Sequence, residues 1–226
     1  MTKIRDYFVT TLCATTGTAD FTGDLYLHVK DNNIFTVMEG LKQVLAQRQK
    51  RYINDASRVP SAVLLPLYVR EGRHYIVFIK RTETVSEHKG QISFPGGSRE
   101  DADETLLDTA LRECHEEIGI NSEDVEVLGE LDDEVTTTSN YIVTPFVGRI
   151  PWPYLFISNG IEVEEIIEIP ISELLEEGCL QPDTEVLNGR TVASCAYHHQ
   201  GRVIWGATAR ILERFLEIYY RVTDSE

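Results

Sequence analysis

Residues 94–120 read FPGGSREDADETLLDTALRECHEEIGI, and this stretch decides the fold. Gly96 and Gly97 supply a tight turn. Asp103 or Glu104 stands where a helix starts, and Gly119, free to take positive φ, stands where it stops. Between them Leu107, Ala110, Leu111, Cys114 and Ile118 recur at three- and four-residue steps and form an apolar face. Glu113, Glu116 and Glu117 stand at i, i+3 and i+4 and share a second face, rotated by about 130° from the first.

Carboxylates stacked on one helix face repel, each like-charge pair weakening an isolated helix by a few tenths of a kcal/mol. The repulsion becomes useful when a hard divalent cation sits among them. Mg²⁺ and Mn²⁺ take oxygen ligands, and Mg²⁺ commonly takes a few carboxylates together with substrate phosphates. Arg112 lies one turn before Glu116 and can pair with it. A solvated acidic face would show the same triplet alone. The double glycine, the helix start, the Arg-Glu pair and the closing glycine at fixed offsets argue for a built site.

These residues carry a family resemblance. Residues 112–120, RECHEEIGI, resemble the second half of the Nudix box, Gly-x5-Glu-x7-Arg-Glu-U-x-Glu-Glu-x-Gly-U with U apolar. The first half is offset by one residue. Counting back from Arg112 places the box acid at Glu104, whereas counting forward from Gly97 places it at Asp103. That longer spacing, with its Phe-Pro-Gly-Gly lead-in, is similar to the coenzyme A pyrophosphatase branch of the Nudix hydrolases. Arg81, Gly90, the TPFVG at 144–148 and the WGATA at 205–209 also resemble that branch. Ser86 and Lys80 depart from it: Ser86 replaces a second arginine, a forked donor suited to phosphate.

The charge of the chain limits its partners. Its 226 residues, 42% hydrophobic and 26% charged, are those of a globular protein with a sizeable core. A formal net charge of -16 disfavours nucleic acid as a partner. No apolar run approaches the roughly 18 residues of a membrane span, and the N-terminus lacks the apolar block of a signal peptide. The four cysteines, Cys13, Cys114, Cys179 and Cys195, show no Cys-x-x-Cys spacing. The expectation is a reduced, cytoplasmic protein that meets neither nucleic acid nor membrane.

Along the chain, residues 20–29 suggest short strands, and 36–50 a helix with a capping box at Thr36 and Glu39. Arg48, Lys50 and Arg51 then suit the negative end of that helix. Residues 54–60 read as a linker, and 61–81 as two strands around a turn at Gly72. Further strands follow the box, with the DDE at 132–134 and the TTTSN at 136–140 as turns. The acid-apolar alternation from Glu162 onward reads as a half-exposed strand. The chain closes with a hairpin at Gln200-Gly201, on which His198 and His199 read as exposed. A helix from about Ala207 follows, with Ile211, Leu212, Phe215, Leu216 and Tyr219 as its core stripe.

An α+β fold follows. The resemblance implies the Nudix fold, an α-β-α sandwich around a mixed sheet over residues 56–226, with residues 1–55 as an N-terminal extension packed on it. It also implies a pyrophosphohydrolase acting on a small nucleotide-type substrate, coenzyme A or acyl-coenzyme A first, ADP-ribose or NADH second; a non-catalytic nucleotide sensor is the alternative of another class. The expected metal set for Mg²⁺ or Mn²⁺ is Gly97, Glu113, Glu116 and Glu117. Arg112 is the orienting residue, and the general base stays open among Glu113, Glu116 and Glu162. Arg81, Lys80 and His88 are candidates for substrate contact. A homodimer is compatible with this reading.

Overall fold

A computed structural model describes residues 34–83, 90–187 and 189–224. The strands expected at 20–29, and Ser86 and His88, lie outside the described residues. The first helix, α1 (Ile34–Gln47), is followed by β1 (Val59–Arg70) and β2 (Arg73–Arg81). Two short strands, β3 (Ile92–Ser93) and β4 (Gly96–Ser98), lead into α2 (Leu106–Ile118). Then come β5 (Glu126–Glu130), β6 (Glu134–Val135), β7 (Tyr141–Arg149), β8 (Val163–Pro170) and the single turn α3 (Ile171–Leu174). Three strands, β9 (Leu180–Leu187), β10 (Arg190–His199) and β11 (Arg202–Ile204), precede the last helix, α4 (Gly206–Thr223).

The large sheet is mixed. β1 runs parallel to β7 from Val59↔Tyr141 to Leu67↔Arg149, and every other pairing in it is antiparallel. β2 pairs with β1 and carries β8 on its other edge, β4 pairs with β1, and β5 and β6 pair with β7. A separate antiparallel sheet has the order β11-β10-β9.

Alternation along β1 and β2 sorts their side chains to two faces. Leu64, Tyr68, Val77 and Ile79 bury against Ala110, Cys114 and Ile118 of α2. Leu65, Leu67, Ile76 and Phe78 bury on the other face, in a core shared with Met38, Leu41 and Leu45 of α1 and with Leu212, Phe215 and Leu216 of α4. The sandwich is therefore α-β-α, as the sequence predicts, and the apolar stripes of α2 and α4 are its two outer seams. At Gly40 of α1 a Cβ would meet Val222 Cγ1 of α4 at 2.6 Å, which shows how closely these helices cross.

The N-terminal helix departs from expectation. It begins at Ile34, so Thr36 is not its N-cap, and it ends at Gln47. The cations beyond it are engaged by carboxylates of a distant segment. Arg48 and Arg51 pair with Asp132, and Lys50 bonds Glu130 at 2.7 Å and Asp133 at 3.1 Å. Asp132 and Asp133, expected in a turn, are each 8% exposed, and these cations and Ile53 N–H satisfy them. The expected 54–60 linker gives way to β1 at Val59. His199 is not exposed either: its Nε2 lies 2.7 Å from Glu173 Oε2, and its side chain keeps 10% of its surface. His198 is exposed, as expected.

Candidate functional site

The site begins with a turn that only glycine permits. β4 lies so close to β1 that a Cβ at Gly96 would meet Val63 Cα at 2.6 Å. At Gly97 a Cβ would strike the Glu113 carboxylate carbon at 2.6 Å, so the Glu113 carboxylate rests directly on the bare Gly97 backbone. Gly96 N–H donates to Glu117 Oε2 at 2.9 Å. The double glycine is thus a floor on which two α2 carboxylates sit.

α2 is held at both ends. Its N-cap is Thr105, just beyond Asp103 and Glu104, where the sequence places the start. Thr105 Oγ1 accepts from Asp108 N–H at 3.2 Å, and Asp108 Oδ2 accepts from Thr105 N–H at 2.7 Å, a reciprocal capping box. Gly119 closes the helix in the left-handed conformation at φ 75°.

Released from capping, Asp103 becomes the anchor of Arg112. Its carboxylate is 5% exposed and accepts from Arg112 Nε at 3.0 Å and Nη2 at 3.1 Å, and from Glu100 N–H and Thr109 Oγ1 at 2.9 Å. The Arg112 guanidinium holds the Asp103 carboxyl well below the usual carboxylate range. Arg112 Nη2 also donates to Ser98 carbonyl at 3.0 Å, and Nη1 reaches Glu113 Oε1 at 3.0 Å and Glu116 Oε2 at 3.1 Å. Of the two acids that the offset motif left open, Asp103 is therefore the partner of Arg112. Glu104 is exposed.

A second guanidinium stands on the other side. Arg81 donates to Glu117 Oε1 at 3.2 Å and to Glu162 Oε2 at 3.3 Å. Glu117 is 1% exposed, and burial pushes its carboxyl up to about 8 against the Gly96 bond and the Arg81 charge. Burial also raises Glu113. The Glu116 side chain keeps 55% of its surface and Glu162 47%.

Arg81, Arg112, Glu113, Glu116 and Glu162 line a cleft of about 530 Å³, and Glu117 and Asp103 are buried behind its lining. One wall holds Arg81, Gly97, Arg112, Glu113, Glu116 and Glu162. A second wall of the lining is uncharged: Thr136, Thr137, Thr138, Tyr141 and Trp205, with the first turn of α4. The sequence points to the first wall and not to the second, since 136–140 reads as a turn and Trp205 as packing. Lys80 is not on the cleft. Its Nζ bonds Glu164 Oε1 at 2.7 Å, and Glu165 pairs with Arg202 at 2.6 Å, so of the three acids at 162–165 only Glu162 faces the site.

Among the described residues, no three Asp, Glu, His or Cys side chains already form a metal cage. Arg112 and Arg81 draw the carboxylate oxygens to themselves. The donors still fit a hard divalent ion. They are all oxygen, Glu117 is buried and Glu113 half-buried, both with raised pKa, and these two rest on a glycine backbone that puts no side chain beneath them.

The NUDIX domain model matches residues 58–188. The chain is 34% identical over 157 residues to a Photorhabdus laumondii protein described as the uncharacterized Nudix hydrolase NudL, covering 70% of this chain and 83% of that one. It is 30% identical over 198 residues to Nudix hydrolase 3 of Caenorhabditis elegans, covering 80% and 82%. A crystal structure of a MutT/nudix family protein from Enterococcus faecalis superposes with a TM-score of 0.49 at 15% identity, over 89% of this chain and 76% of that one.

Proposed function

The chain belongs to the Nudix family of hydrolases of nucleoside diphosphate derivatives, and from that premise we propose that it cleaves the diphosphate bond of coenzyme A or an acyl-coenzyme A. Nudix hydrolases generally use divalent ions, here Mg²⁺ or Mn²⁺ by this proposal, held by Glu113, Glu116, Glu117 and the Gly97 carbonyl. The observation that carries the reading is the seat of the Glu113 carboxylate on Gly97 at the cleft, with Glu117 buried behind it on Gly96 N–H.

When bound, such an ion lends positive charge to the diphosphate and acidity to the attacking water, together several kcal/mol of transition-state stabilisation. The protein's own groups do the positioning. Arg112, fixed by Asp103, aims Glu113 and Glu116. Arg81 aims Glu117 and Glu162. Glu162 lies outside the proposed ligand set and takes the proton of the attacking water at Oε2, which leaves Arg81 paired with Glu117.

The experiment is product analysis with Mg²⁺ and with Mn²⁺ on coenzyme A, acetyl-coenzyme A, ADP-ribose, NADH and diadenosine tetraphosphate. Preferred cleavage of coenzyme A to a 4′-phosphopantetheine and an adenosine bisphosphate supports the reading. Preferred cleavage of ADP-ribose or NADH supports the second one, which a specific observation favours: Lys80 is engaged by Glu164 off the cleft and does not replace the cation missing at Ser86. Introducing that cation with Ser86→Arg should raise kcat/KM for coenzyme A. An unchanged value beside strong ADP-ribose cleavage would favour the second reading. Binding without turnover of any of the five would indicate a sensor.

A further inference from the structure

The uncharged wall is held from behind by a buried ionic network that the hydrolytic chemistry does not use. Glu185, on β9 of the small sheet, is 7% exposed. Its carboxylate accepts from Thr137 Oγ1 at 2.7 Å and also from Ser194 Oγ and Arg210 Nη1. Arg210, on the second turn of α4, donates through Nε to Glu134 Oε1 at 3.0 Å and through Nη2 to Val135 carbonyl at 2.8 Å. Arg214 completes the set, 2.9 Å from Glu134 Oε2. One carboxylate therefore grips the middle of the 136–140 loop. One guanidinium grips the strand that enters the loop and carries the helix turn beside it.

The loop needs such support. Between β6 and β7 it crosses from Val135 to Tyr141 with no buried apolar side chain of its own. Thr136 closes its base, with N–H to Tyr141 carbonyl at 3.1 Å and Oγ1 to Ser139 carbonyl at 2.7 Å. Thr137 ties the loop to the small sheet through its bond to Glu185. Thr138 is left exposed on the cleft, which Trp205 also lines.

A diphosphate must lie against the carboxylate wall, where the cation-binding oxygens are. A group that hangs from one of its phosphates then has the second wall of the same cleft to rest on. That wall carries hydroxyls and the rings of Tyr141 and Trp205 but no ionised side chain, in a chain of net charge -16. It suits a neutral, hydrogen-bonding moiety and would repel nothing.

We propose that the 136–138 loop, with Trp205, is the substrate-selecting wall of this enzyme, receiving the neutral hydrogen-bonding part of the diphosphate ester, and that Glu185 of the small sheet is its positioning residue. The inference deepens the hydrolase reading above and rests on it for the placement of the diphosphate. It also gives the β9–β10 hairpin a role, which is to deliver Glu185 and Ser194 beneath the loop.

The test uses Glu185→Gln and Thr137→Val in the full chain. Glu185→Gln keeps the volume and removes the charge. Thr137→Val removes only the hydroxyl that bonds Glu185 and serves if Glu185→Gln fails to fold, as judged by thermal melting. On the best substrate of the five-compound panel, each variant should raise KM about tenfold and leave kcat within about twofold, since the carboxylate wall is untouched. The preference between that substrate and the next best should narrow. Wild-type KM in both variants, or a fall in kcat at constant KM, would overturn the proposal. If wild-type protein cleaves none of the panel, the hydrolase reading fails. Calorimetric binding of coenzyme A and ADP-ribose in Ca²⁺ then decides the wall by itself: weaker binding by Glu185→Gln and Thr137→Val supports it. Equal binding, or no binding by wild type, overturns it.

Discussion

Neutralising Asp103 with Asp103→Asn separates the role of Arg112 in the fold from its role at the site. Asp103 is 5% exposed, and two of its four hydrogen bonds come from the Arg112 fork. Removing one charge of a buried pair costs about 3–5 kcal/mol when the other is stranded. Arg112 is not stranded: Glu113, Glu116 and the Ser98 carbonyl remain in reach, and its side chain keeps 20% of its surface. A loss of about 2 kcal/mol follows, which lowers Tm by roughly 4–8 °C in a chain of this size. The loss has a pH signature. The folded-state pKa of Asp103 is depressed, so its stabilisation is fully present above the unfolded value of about 4 and fades as pH falls through the folded one. The Tm gap between wild type and variant should be constant from about pH 6 to 8 and shrink below about pH 4. The site should change as well. A guanidinium that has lost its anchor leans on Glu113 and Glu116 and competes with the divalent ion, so the Mg²⁺ concentration for half-maximal rate should rise about tenfold, equal to about 1.4 kcal/mol. Calorimetric melts across pH and a Mg²⁺ titration of rate measure both. A Tm within about 1 °C of wild type, given the 2–4 °C expected per kcal/mol, together with an unchanged Mg²⁺ titration, would refute Asp103 as the anchor.

Three further substitutions probe separate parts. Gly97→Ala drives a methyl into the Glu113 carboxylate and should lower kcat by at least about 100-fold, the scale of losing a placed catalytic contact, while Tm changes little; steady-state kinetics with circular dichroism checks this. Glu117→Gln should cost orders of magnitude in turnover yet leave stability in EDTA equal or higher, because the ionised carboxylate is disfavoured at a position only 1% exposed; a lower Tm in EDTA would count against that. Asp133→Asn weakens the bonds to Lys50, Ile53 N–H and Thr144 Oγ1 and should lower Tm by several degrees, at about 2–4 °C per kcal/mol, with kcat unchanged; an altered kcat would tie the N-terminal segment to the site.

What is legible in the sequence is what period and local chemistry dictate. The two faces of α2, the stripe of α4, the β1–β2 turn and the helix stop at Gly119 all follow from spacing within a few residues. The candidate metal wall is legible for the same reason, since Glu113, Glu116 and Glu117 share one helix turn. What the sequence hides depends on partners far along the chain. Asp132 and Asp133 read as a turn because nothing nearby neutralises them; Arg48, Lys50 and Arg51 do so from about eighty residues away. Lys80 reads as a phosphate contact because no local signal places Glu164 across the β2–β8 pairing. The hydroxyl wall is invisible, since Thr137 gains meaning only from Glu185, 48 residues on. Asp103 has a local signal, an acid nine residues before Arg112, but helix-start rules claim it for a cap that Thr105 fills.

The acidity of this protein bears on how its cleft admits a cation. Two guanidiniums, Arg112 and Arg81, already neutralise the carboxylates there, so a divalent ion arrives as a competitor rather than as the first positive charge. The competition is arranged to be winnable. Arg112 keeps two bonds to Asp103 and one to Ser98 carbonyl when its Nη1 contacts are given up, so losing Glu113 and Glu116 does not strand it. Arg81 has less to fall back on, because Glu162 is half exposed and the Arg81 Nε has no partner among the described residues. Glu117 should therefore be the most reluctant of the three glutamates to turn toward an ion, and Glu116 the readiest. Arg81→Gln should then sharpen metal binding at Glu117: the Mn²⁺ dissociation constant, read by electron paramagnetic resonance, should fall, whereas the Asp103→Asn value should rise. Movement of both constants in the same direction would show that the two arginines do not hold the carboxylates in these opposed ways.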